Sequence, residues 1–210
     1  MQTDPDARPP CWLNVADESL ADALFRVAQD GAAVVPALSL PARRALTRSA
    51  DALAFRTARP VVGSGERAVT QSFEIADEVP ETGPLAEVAL ELAARLNTVL
   101  ARDDTPLCPR ITFNDRVVQR YPPGDVGISP HKDHVSYVHL VVNLVLSGFG
   151  RFYVCPERSF ERALEIPGSA GDALIMRAPG CAGSDHRPFH AIGEVAQGRL
   201  VLGLRQDART

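Results

Sequence analysis

The second half of the chain constrains the fold most strongly. From Ile111 onward, short apolar stretches alternate with turns that contain Gly, Pro or Asp. Stretches of this length, separated by such turns, predict short antiparallel strands. The strands are predicted at 111–120, 136–146, 150–155, 163–166, 172–177, 187–192 and 199–205.

Three segments before this region have the periodicity of helices. The first, Asp17–Gln29, places apolar residues on one face and stops at Gly31, a residue that favours the end of a helix. The second follows Ser39, whose side chain can cap it, and extends to about Leu53. The third starts near Pro84, and its apolar face consists of Leu85, Val88, Leu92, Leu96 and Val99.

Helices followed by antiparallel strands predict an α+β fold, in which N-terminal helices support a double-stranded β-helix, or jelly roll. A chain of 210 residues can bury one core of ordinary size but not two. We therefore predict a single domain over 1–210, with a flexible lead-in over 1–12 and a β-core over 111–206. We also predict a short buried strand over residues 32–35. The segment 57–70 is rich in Arg, Gly and Ser, which predicts a mobile surface loop.

The composition is that of a soluble globular protein, with 45% hydrophobic and 23% charged residues. The longest apolar stretch, 140–146, is interrupted by Asn143 and is too short to cross a bilayer. The first ten residues contain acidic residues and prolines where a signal peptide has a basic end and an apolar run. We therefore expect a cytoplasmic protein that makes no membrane contact.

Charge and cysteine content narrow the classes of partner. The formal net charge of −4 disfavours nonspecific binding to nucleic acid, which needs a basic surface. The composition therefore favours a small-molecule partner, and it says nothing about the oligomeric state. A structural zinc site is not expected, because no C-x-x-C pair occurs among the four scattered cysteines, and reduced thiols are the default in a cytosolic protein. These cysteines are Cys11, Cys108, Cys155 and Cys181.

Three residues have the pattern of a catalytic metal site. His131 and Asp133 are two residues apart, so on an extended chain their side chains fall on the same side. His190 follows the predicted strand 172–177, which brings a distant segment back into the barrel. Two imidazoles and one carboxylate form the facial triad of non-haem Fe(II) oxygenases, which leaves the opposite face of the ion open to a co-substrate and O2. We therefore predict that His131, Asp133 and His190 bind iron.

Two arginines in the last predicted strand indicate a carboxylate ligand. Arg199 lies nine residues after His190, and a guanidinium offers a rigid fork of donors to a carboxylate. It could hold the distal carboxylate of 2-oxoglutarate while the keto-acid end binds iron. Arg205 shares its face by alternation, but at about 3.3 Å per residue the two backbones lie roughly 20 Å apart. Arg199 is therefore the predicted anchor, and Arg205 ranks second.

The triad and the two arginines give the chain a resemblance to the 2-oxoglutarate- and Fe(II)-dependent dioxygenases. Within them, the chain is most similar to AlkB-type enzymes. The resemblance extends from Asn114 to Gln206, a little under half of the chain. Two positions between the arginines depart from the AlkB pattern, since Val201 and Gly203 replace an asparagine and a threonine. The matching stretches are 119–124, 131–133, 171–176, 187–190 and 199–205.

The resemblance implies a set of roles for these residues. It implies Fe(II), 2-oxoglutarate and O2 as cofactor and co-substrates, with release of succinate and CO2. It also implies that Tyr121 contacts 2-oxoglutarate, with Arg205 near the other end of the co-substrate. Gln119 stands where the family has an asparagine, which keeps an amide on a longer side chain. Iron halogenases of this superfamily have Gly or Ala in place of Asp133, so this carboxylate favours hydroxylation, oxidative demethylation or a related oxidation.

Each of these residues also has an ordinary structural interpretation. His131 and Asp133 could belong to a surface loop, His190 could be a core histidine, and Arg199 and Arg205 could be edge-strand charges that discourage sheet pairing. The ordered set as a whole favours the iron site. Three other histidines are interpreted as bystanders rather than ligands, namely His134, His139 and His186.

Three functions are compatible with this pattern. The first is oxidation of a small-molecule or amino-acid-like substrate, since aromatic residues suited to stacking on a flipped base are few. The second is an AlkB-like dealkylase of nucleic acid or protein, which the arginine spacing and the Arg-containing loop at 56–67 favour. The third, from a different class, is a cupin-like barrel that binds a metal or a carboxylate without catalysis.

Overall fold

The structure is a computed structural model that describes residues 11–102 and 107–210. Its three α-helices confirm the helix predictions, with α2 ending two residues before Leu53. Gly31 ends α1 in the left-handed conformation, with φ of 89°. The side chain of Ser39 accepts a hydrogen bond from the amide of Ala42 and caps α2. The helices are α1 (Asp17–Asp30), α2 (Leu40–Asp51) and α3 (Pro84–Leu100).

Thirteen strands are present in the described residues, and they pair in two antiparallel sheets. The strands are β1 (Ala32–Pro36), β2 (Arg56–Thr57), β3 (Val61–Val62), β4 (Val69–Ser72), β5 (Glu74–Ala76), β6 (Asp115–Tyr121), β7 (Gly127–His131), β8 (Tyr137–Gly148), β9 (Arg151–Cys155), β10 (Leu164–Ile166), β11 (Asp172–Arg177), β12 (Phe189–Gly193) and β13 (Arg199–Asp207). The major sheet has the order β1-β11-β8-β13-β6-β5-β2, and the minor sheet has the order β10-β9-β12-β7-β4-β3.

The two sheets pack face to face around one of two hydrophobic clusters. This inner cluster contains Tyr121, Val141 and Met176 from the major sheet together with Ile128 and Phe152 from the minor sheet. The outer cluster lies between the major sheet and the helices. The arrangement confirms the predicted α+β class, a double-stranded β-helix supported by N-terminal helices.

Alternation along β8 and β13 serves both clusters, because successive side chains on a strand point to opposite faces. In β8, Leu140, Val142 and Leu144 join the outer cluster, whereas Val141 faces the space between the sheets. In β13, the outer cluster contains Leu200, Leu202 and Leu204.

Two predictions in the strand region need correction. All seven predicted strands are present, but β7 was not among them, because 127–131 contains Gly, Ser and Pro and shows no apolar alternation. The segment 57–70 is not simply a loop: β3 pairs with β4, and β4 in turn pairs with β7. The amide of Thr70 donates to the hydroxyl of Ser129 at 3.0 Å, which fastens this hairpin beside the strand that ends at His131.

The predicted lead-in over 1–12 lies outside the described residues except for its last two. Trp12 is buried and its amide donates to the Glu91 carboxylate at 2.9 Å, so this end packs on α3 instead of being flexible. The β-core predicted over 111–206 is completed by β1 to β5, which precede it. The assignment of one domain over 1–210 stays a prediction. Within the described residues, no helix has the length and apolar character that spanning a membrane requires.

Candidate metal centre

The three predicted metal ligands converge at one end of the space between the sheets. His131 is the last residue of β7, and it lies directly opposite His190, the second residue of β12. Asp133 follows two residues after β7 ends. One potential ligand atom from each residue lies within 4.8 Å of the others. The structure therefore brings together a triad that the sequence separates by 59 positions, from 131 to 190.

Backbone carbonyls orient both imidazole rings. The Nδ1 atom of His131 lies 2.9 Å from the carbonyl oxygen of Ser129, and Nδ1 of His190 lies 3.4 Å from that of Pro188. This contact leaves Nε2 of each ring directed at Asp133 Oδ1, at 3.9 Å from His131 and 3.7 Å from His190. A ring whose Nδ1 carries the proton offers the lone pair of Nε2 to a metal ion.

The local electrostatics favour the metal-binding protonation states of His131 and Asp133. Burial, together with the neighbouring His190, lowers the pKa of His131 to about 4, so its imidazole is neutral at pH 7. Burial raises the pKa of Asp133, but the neighbouring His190 and His131 rings and the charges of Arg205 and Arg187 act in the opposite direction, and the pKa of Asp133 is lowered overall. A neutral imidazole beside a carboxylate is the state that a divalent cation requires.

Arg199 lines the same cavity and is almost completely buried, with 5% of its surface exposed. It is the first residue of β13 and pairs with Tyr121 of β6, and its guanidinium carbon lies 5.6 Å from the centre of the Tyr121 ring. Burial lowers the pKa of Arg199, and burial also raises the pKa of Tyr121 to about 12. Within residues 11–102 and 107–210, no carboxylate forms an ion pair with this guanidinium.

Arg205 and Gln119 complete the cavity wall on the major sheet. Arg205 lies 3.4 Å from the Asp115 carboxylate and stacks over the Tyr137 ring at 5.1 Å. Its charge is therefore partly neutralised by the protein, in contrast to that of Arg199. All seven residues predicted to form the site line this one cavity, namely Gln119, Tyr121, His131, Asp133, His190, Arg199 and Arg205.

The other three histidines lie outside the cluster, as predicted. His134 is exposed and its Nδ1 contacts the hydroxyl of Ser136, and His186 contacts the guanidinium of Arg177. His139, with φ of 66°, packs against Gly180. Among the described residues, none of the three joins the group that could hold a metal ion.

The sequence interpretation missed several residues of the site. Asn143 of β8 lines the cavity beside Phe152 and Met176. A polar residue inside an apolar strand was the available signal, but Asn143 had been read only as an interruption. The guanidinium of Arg187 donates to the backbone carbonyl of Asp133, which helps to fix the loop that carries this ligand. Nothing in the sequence indicates this contact, because 54 positions separate the two residues.

Comparisons with known proteins identify the class of fold. No family model and no curated protein matches the chain. Among solved structures, a prolyl hydroxylase from Trichoplax adhaerens, in complex with a hypoxia inducible factor oxygen degradation domain peptide fragment, aligns with a TM-score of 0.65. The identity is 14%, over 92% of this chain and 91% of that chain.

Two further solved structures align with this chain over most of its length. An oxidoreductase of the 2OG-Fe(II) oxygenase family from Burkholderia pseudomallei aligns with a TM-score of 0.61 at 15% identity, covering 93% of each chain. OsALKBH1 aligns with a TM-score of 0.55 at 16% identity, over 84% of this chain and 98% of that chain. The chain therefore shares the fold of these structures, which include a 2OG-Fe(II) oxygenase family member and OsALKBH1.

Proposed function

We propose that this chain is an Fe(II)- and 2-oxoglutarate-dependent dioxygenase that oxidises a small-molecule or amino-acid-like substrate by hydroxylation or oxidative demethylation. The observation that carries the proposal is the shared cavity, in which a His-Asp-His cluster lies beside a buried arginine that has no carboxylate partner in the described part of the chain. Either feature alone is common in proteins, but together they form a site that could bind a metal ion and a dicarboxylate next to each other.

The donor set fits ferrous iron. Two imidazoles and one carboxylate are borderline and hard donors of the kind that iron accepts, and three protein ligands leave room for further ones. The side chains of His131, Asp133 and His190 are largely buried, with 16%, 23% and 8% exposed, so a bound ion would be shielded from bulk water. We infer that these three residues hold the metal.

The cavity beyond the triad fits 2-oxoglutarate. A buried guanidinium without a counter-charge is unfavourable, and a ligand carboxylate would relieve this penalty through charge-assisted hydrogen bonds. We infer that Arg199 holds the distal carboxylate and that Tyr121, which packs against it, contributes its hydroxyl. Gln119 lines the same wall, and Arg205 lies where it can contact a ligand although Asp115 shares its charge.

The protein's part in the reaction is positioning and exclusion of water. When bound, iron and 2-oxoglutarate supply an oxidant derived from O2 that can attack a C–H bond, and the co-substrate leaves as succinate and CO2. Ile128, Phe152 and Ile192 provide an apolar wall around the polar ligands. Arg199 fixes the orientation of the co-substrate, and the triad fixes which face of the metal is open to substrate.

The direct test is conversion of 2-oxoglutarate to succinate by the purified protein with Fe(II) under air. Slow conversion without substrate is expected, and the His131→Ala and Asp133→Ala variants are expected to lose it together with metal binding. Lys132→Ala, which changes the residue between the two ligands without removing a metal donor, is the matched control for metal binding. An intact, folded protein that binds neither Fe(II) nor 2-oxoglutarate would refute the proposal and leave the non-catalytic cupin-like barrel.

A dealkylase or hydroxylase of nucleic acid or protein is the second candidate. OsALKBH1 and a peptide-bound prolyl hydroxylase are among the structural neighbours, which supports macromolecular substrates as an alternative. Mass spectrometry after incubation with methylated oligonucleotides and with proline-containing peptides separates the candidates. Efficient turnover of either would displace the small-molecule proposal.

The cytoplasmic location stays a prediction.

A further inference from the structure

Four basic side chains lie next to the candidate metal ligands. Lys132 stands between His131 and Asp133, and its ammonium lies 4.6 Å from the centre of the Phe189 ring. The Arg158 guanidinium carbon lies 5.3 Å from the same ring. The other two, Arg177 and Arg187, line a pocket that includes Asp133 and His190.

None of these four side chains has a carboxylate within 4.0 Å in the described ranges, although all four are half-buried. Their contacts are neutral ones. Arg158 approaches the carbonyl of Pro130 at 3.5 Å, and Nη2 of Arg177 lies 2.8 Å from Nδ1 of His186. In the described residues, the positive charge of these four side chains is therefore not neutralised by an ion pair.

The rest of the site does not neutralise this charge. In the proposed enzyme, a divalent metal and Arg199 would balance the carboxylate of Asp133 and the two carboxylates of 2-oxoglutarate. The four cations therefore remain as excess positive charge at one side of the metal, in a chain whose formal net charge is −4. Such a local concentration attracts and orients an anionic ligand.

The pocket lined by Arg177 and Arg187 is the place where this charge meets the metal ligands. Tyr137, Asp133 and His190 form the rest of its polar lining. The Nε atom of Arg177 is buried and has no hydrogen-bond partner in the part of the chain that the structure describes. Nη1 of Arg177 donates to the carbonyl of Ala28 at 2.9 Å, and Nη1 of Arg187 donates to that of Asp133. A bound anion could use the N–H groups of both guanidinium groups that these contacts leave free, since charge-assisted hydrogen bonds from arginine suit a carboxylate or a phosphate.

We propose that the primary substrate carries a small anionic group, a carboxylate or a phosphate, and that Arg177 and Arg187 bind this group in the pocket beside Asp133. The proposal rests on the oxygenase function proposed above and names its substrate class. A free small molecule fits better than a nucleic acid, because the cations form one compact cluster and the chain as a whole is acidic.

The test uses the full chain loaded with Ni(II) and saturating 2-oxoglutarate, a state that occupies Arg199 and does not turn over. At low ionic strength, NMR or calorimetric titration with inorganic phosphate and with N-acetylglycine measures anion binding, and neutral N-acetylglycinamide is the probe matched to N-acetylglycine. We expect both anions to bind, the amide to bind at least 10-fold more weakly, and the Arg177→Gln variant to lose at least 10-fold in anion affinity. Arg44→Gln, on the exposed face of α2, is the charge-matched control and keeps wild-type affinity.

Several results would overturn the proposal. Equal binding of N-acetylglycine and its amide would do so, as would wild-type anion affinity in both Arg177→Gln and Arg187→Gln. A labelled single-stranded oligonucleotide that binds far more tightly than phosphate, with a steep salt dependence lost in these variants, would assign the cluster to nucleic acid instead. Uptake of Ni(II) and 2-oxoglutarate in the same titration tests the oxygenase function separately. Its failure is therefore distinguishable from a failure to bind anions.

Discussion

The sequence predicts which residues converge in the candidate site, but it does not predict their contacts. His131, Asp133 and His190 are predicted because their residue types and order match a facial triad, and Arg199 because it follows at a short interval in a strand. The orientation of each ring depends on a carbonyl two residues earlier in the chain. That contact follows from the local backbone path, which residue identities alone do not encode.

At the scale of single residues, the different surroundings of Arg199 and Arg205 give a prediction about co-substrate binding. Arg199 has no carboxylate partner among the described residues, whereas Arg205 pairs with Asp115, so loss of the Arg199 charge should cost more co-substrate binding. Hydrogen bonds to charged groups contribute about 1.5–3 kcal/mol. We therefore expect Arg199→Gln to raise the dissociation constant for 2-oxoglutarate roughly 10- to 100-fold, since about 1.4 kcal/mol corresponds to tenfold.

Calorimetric titration of the Ni(II)-loaded variants with 2-oxoglutarate measures this effect. Arg205→Gln is expected to weaken binding less than Arg199→Gln, and Arg44→Gln should leave it unchanged. A larger loss in Arg205→Gln than in Arg199→Gln would reverse the assignment of the anchoring residue.

At the scale of elements, periodicity predicted the helices and most strands, and β7 is the exception that matters most for the site. The strand β7 contains Gly127 and Pro130 and lacks apolar alternation, so the sequence pattern does not reveal it. Its conformation depends on long-range pairing with β12 and with β4. Local sequence cannot report such pairing, and yet this strand delivers His131 to the site.

Gly127 provides a test of this dependence. It has φ of 77°, and a Cβ atom at this position would lie 2.0 Å from the carbonyl oxygen of Ile192 in β12. Gly127→Ala should therefore push β7 and β12 apart, lower the free energy of unfolding by more than the roughly 1–3 kcal/mol of backbone strain, and weaken metal binding. Gly124→Ala is the matched control, because Gly124 has φ of 80° but no atom within 4 Å of its added Cβ.

Denaturant unfolding and Ni(II) titration distinguish the two variants. Gly124→Ala should show the conformational cost alone, with metal affinity unchanged. If both variants lose the same stability and bind Ni(II) equally well, the close approach of β7 and β12 does not hold the metal ligands in place.

The outer cluster gives a prediction about α3. Leu92 is completely buried in the outer cluster, whereas Leu90, on the same helix, is 68% exposed. Removal of a buried leucine side chain leaves a cavity, so Leu92→Ala should lower the free energy of unfolding by about 2–5 kcal/mol. Leu90→Ala should change it by less than about 0.5 kcal/mol. Denaturant unfolding of both variants measures the difference, and equal losses would contradict the packing described.

For the whole molecule, the fold could be predicted although the chain is only 14–16% identical to the three solved structures described above. The positions of the helices and of the strands with apolar alternation, and the order of the ligands, are properties of pattern, and they survive when individual residues differ. The short strands β2 to β5 and the docking of Trp12 on Glu91 were not predicted, because they depend on contacts across distant parts of the chain.

For the whole molecule, we predict that ligand binding raises the thermal stability of the folded chain. A ligand that binds only the folded chain stabilises it by about 2.7 kcal/mol at 100 times its dissociation constant, and each kcal/mol raises the Tm by roughly 2–4 °C at this size. We therefore expect Ni(II) with 2-oxoglutarate to raise the Tm by roughly 5–10 °C in a thermal unfolding experiment. The Asp133→Ala variant should lose this rise, and a wild-type Tm that does not respond would argue against a preformed site.

The alternation along β8 has a consequence for how such a protein can change over generations. One side of the strand, with Leu140, Val142 and Leu144, anchors the scaffold, and the other, with Val141 and Asn143, shapes the chamber. Selection can therefore act on the two sides almost independently. New chemical preferences can arise by exchange of chamber-side residues while the scaffold keeps its robustness, and a laboratory library limited to those positions should retain folded members at high frequency.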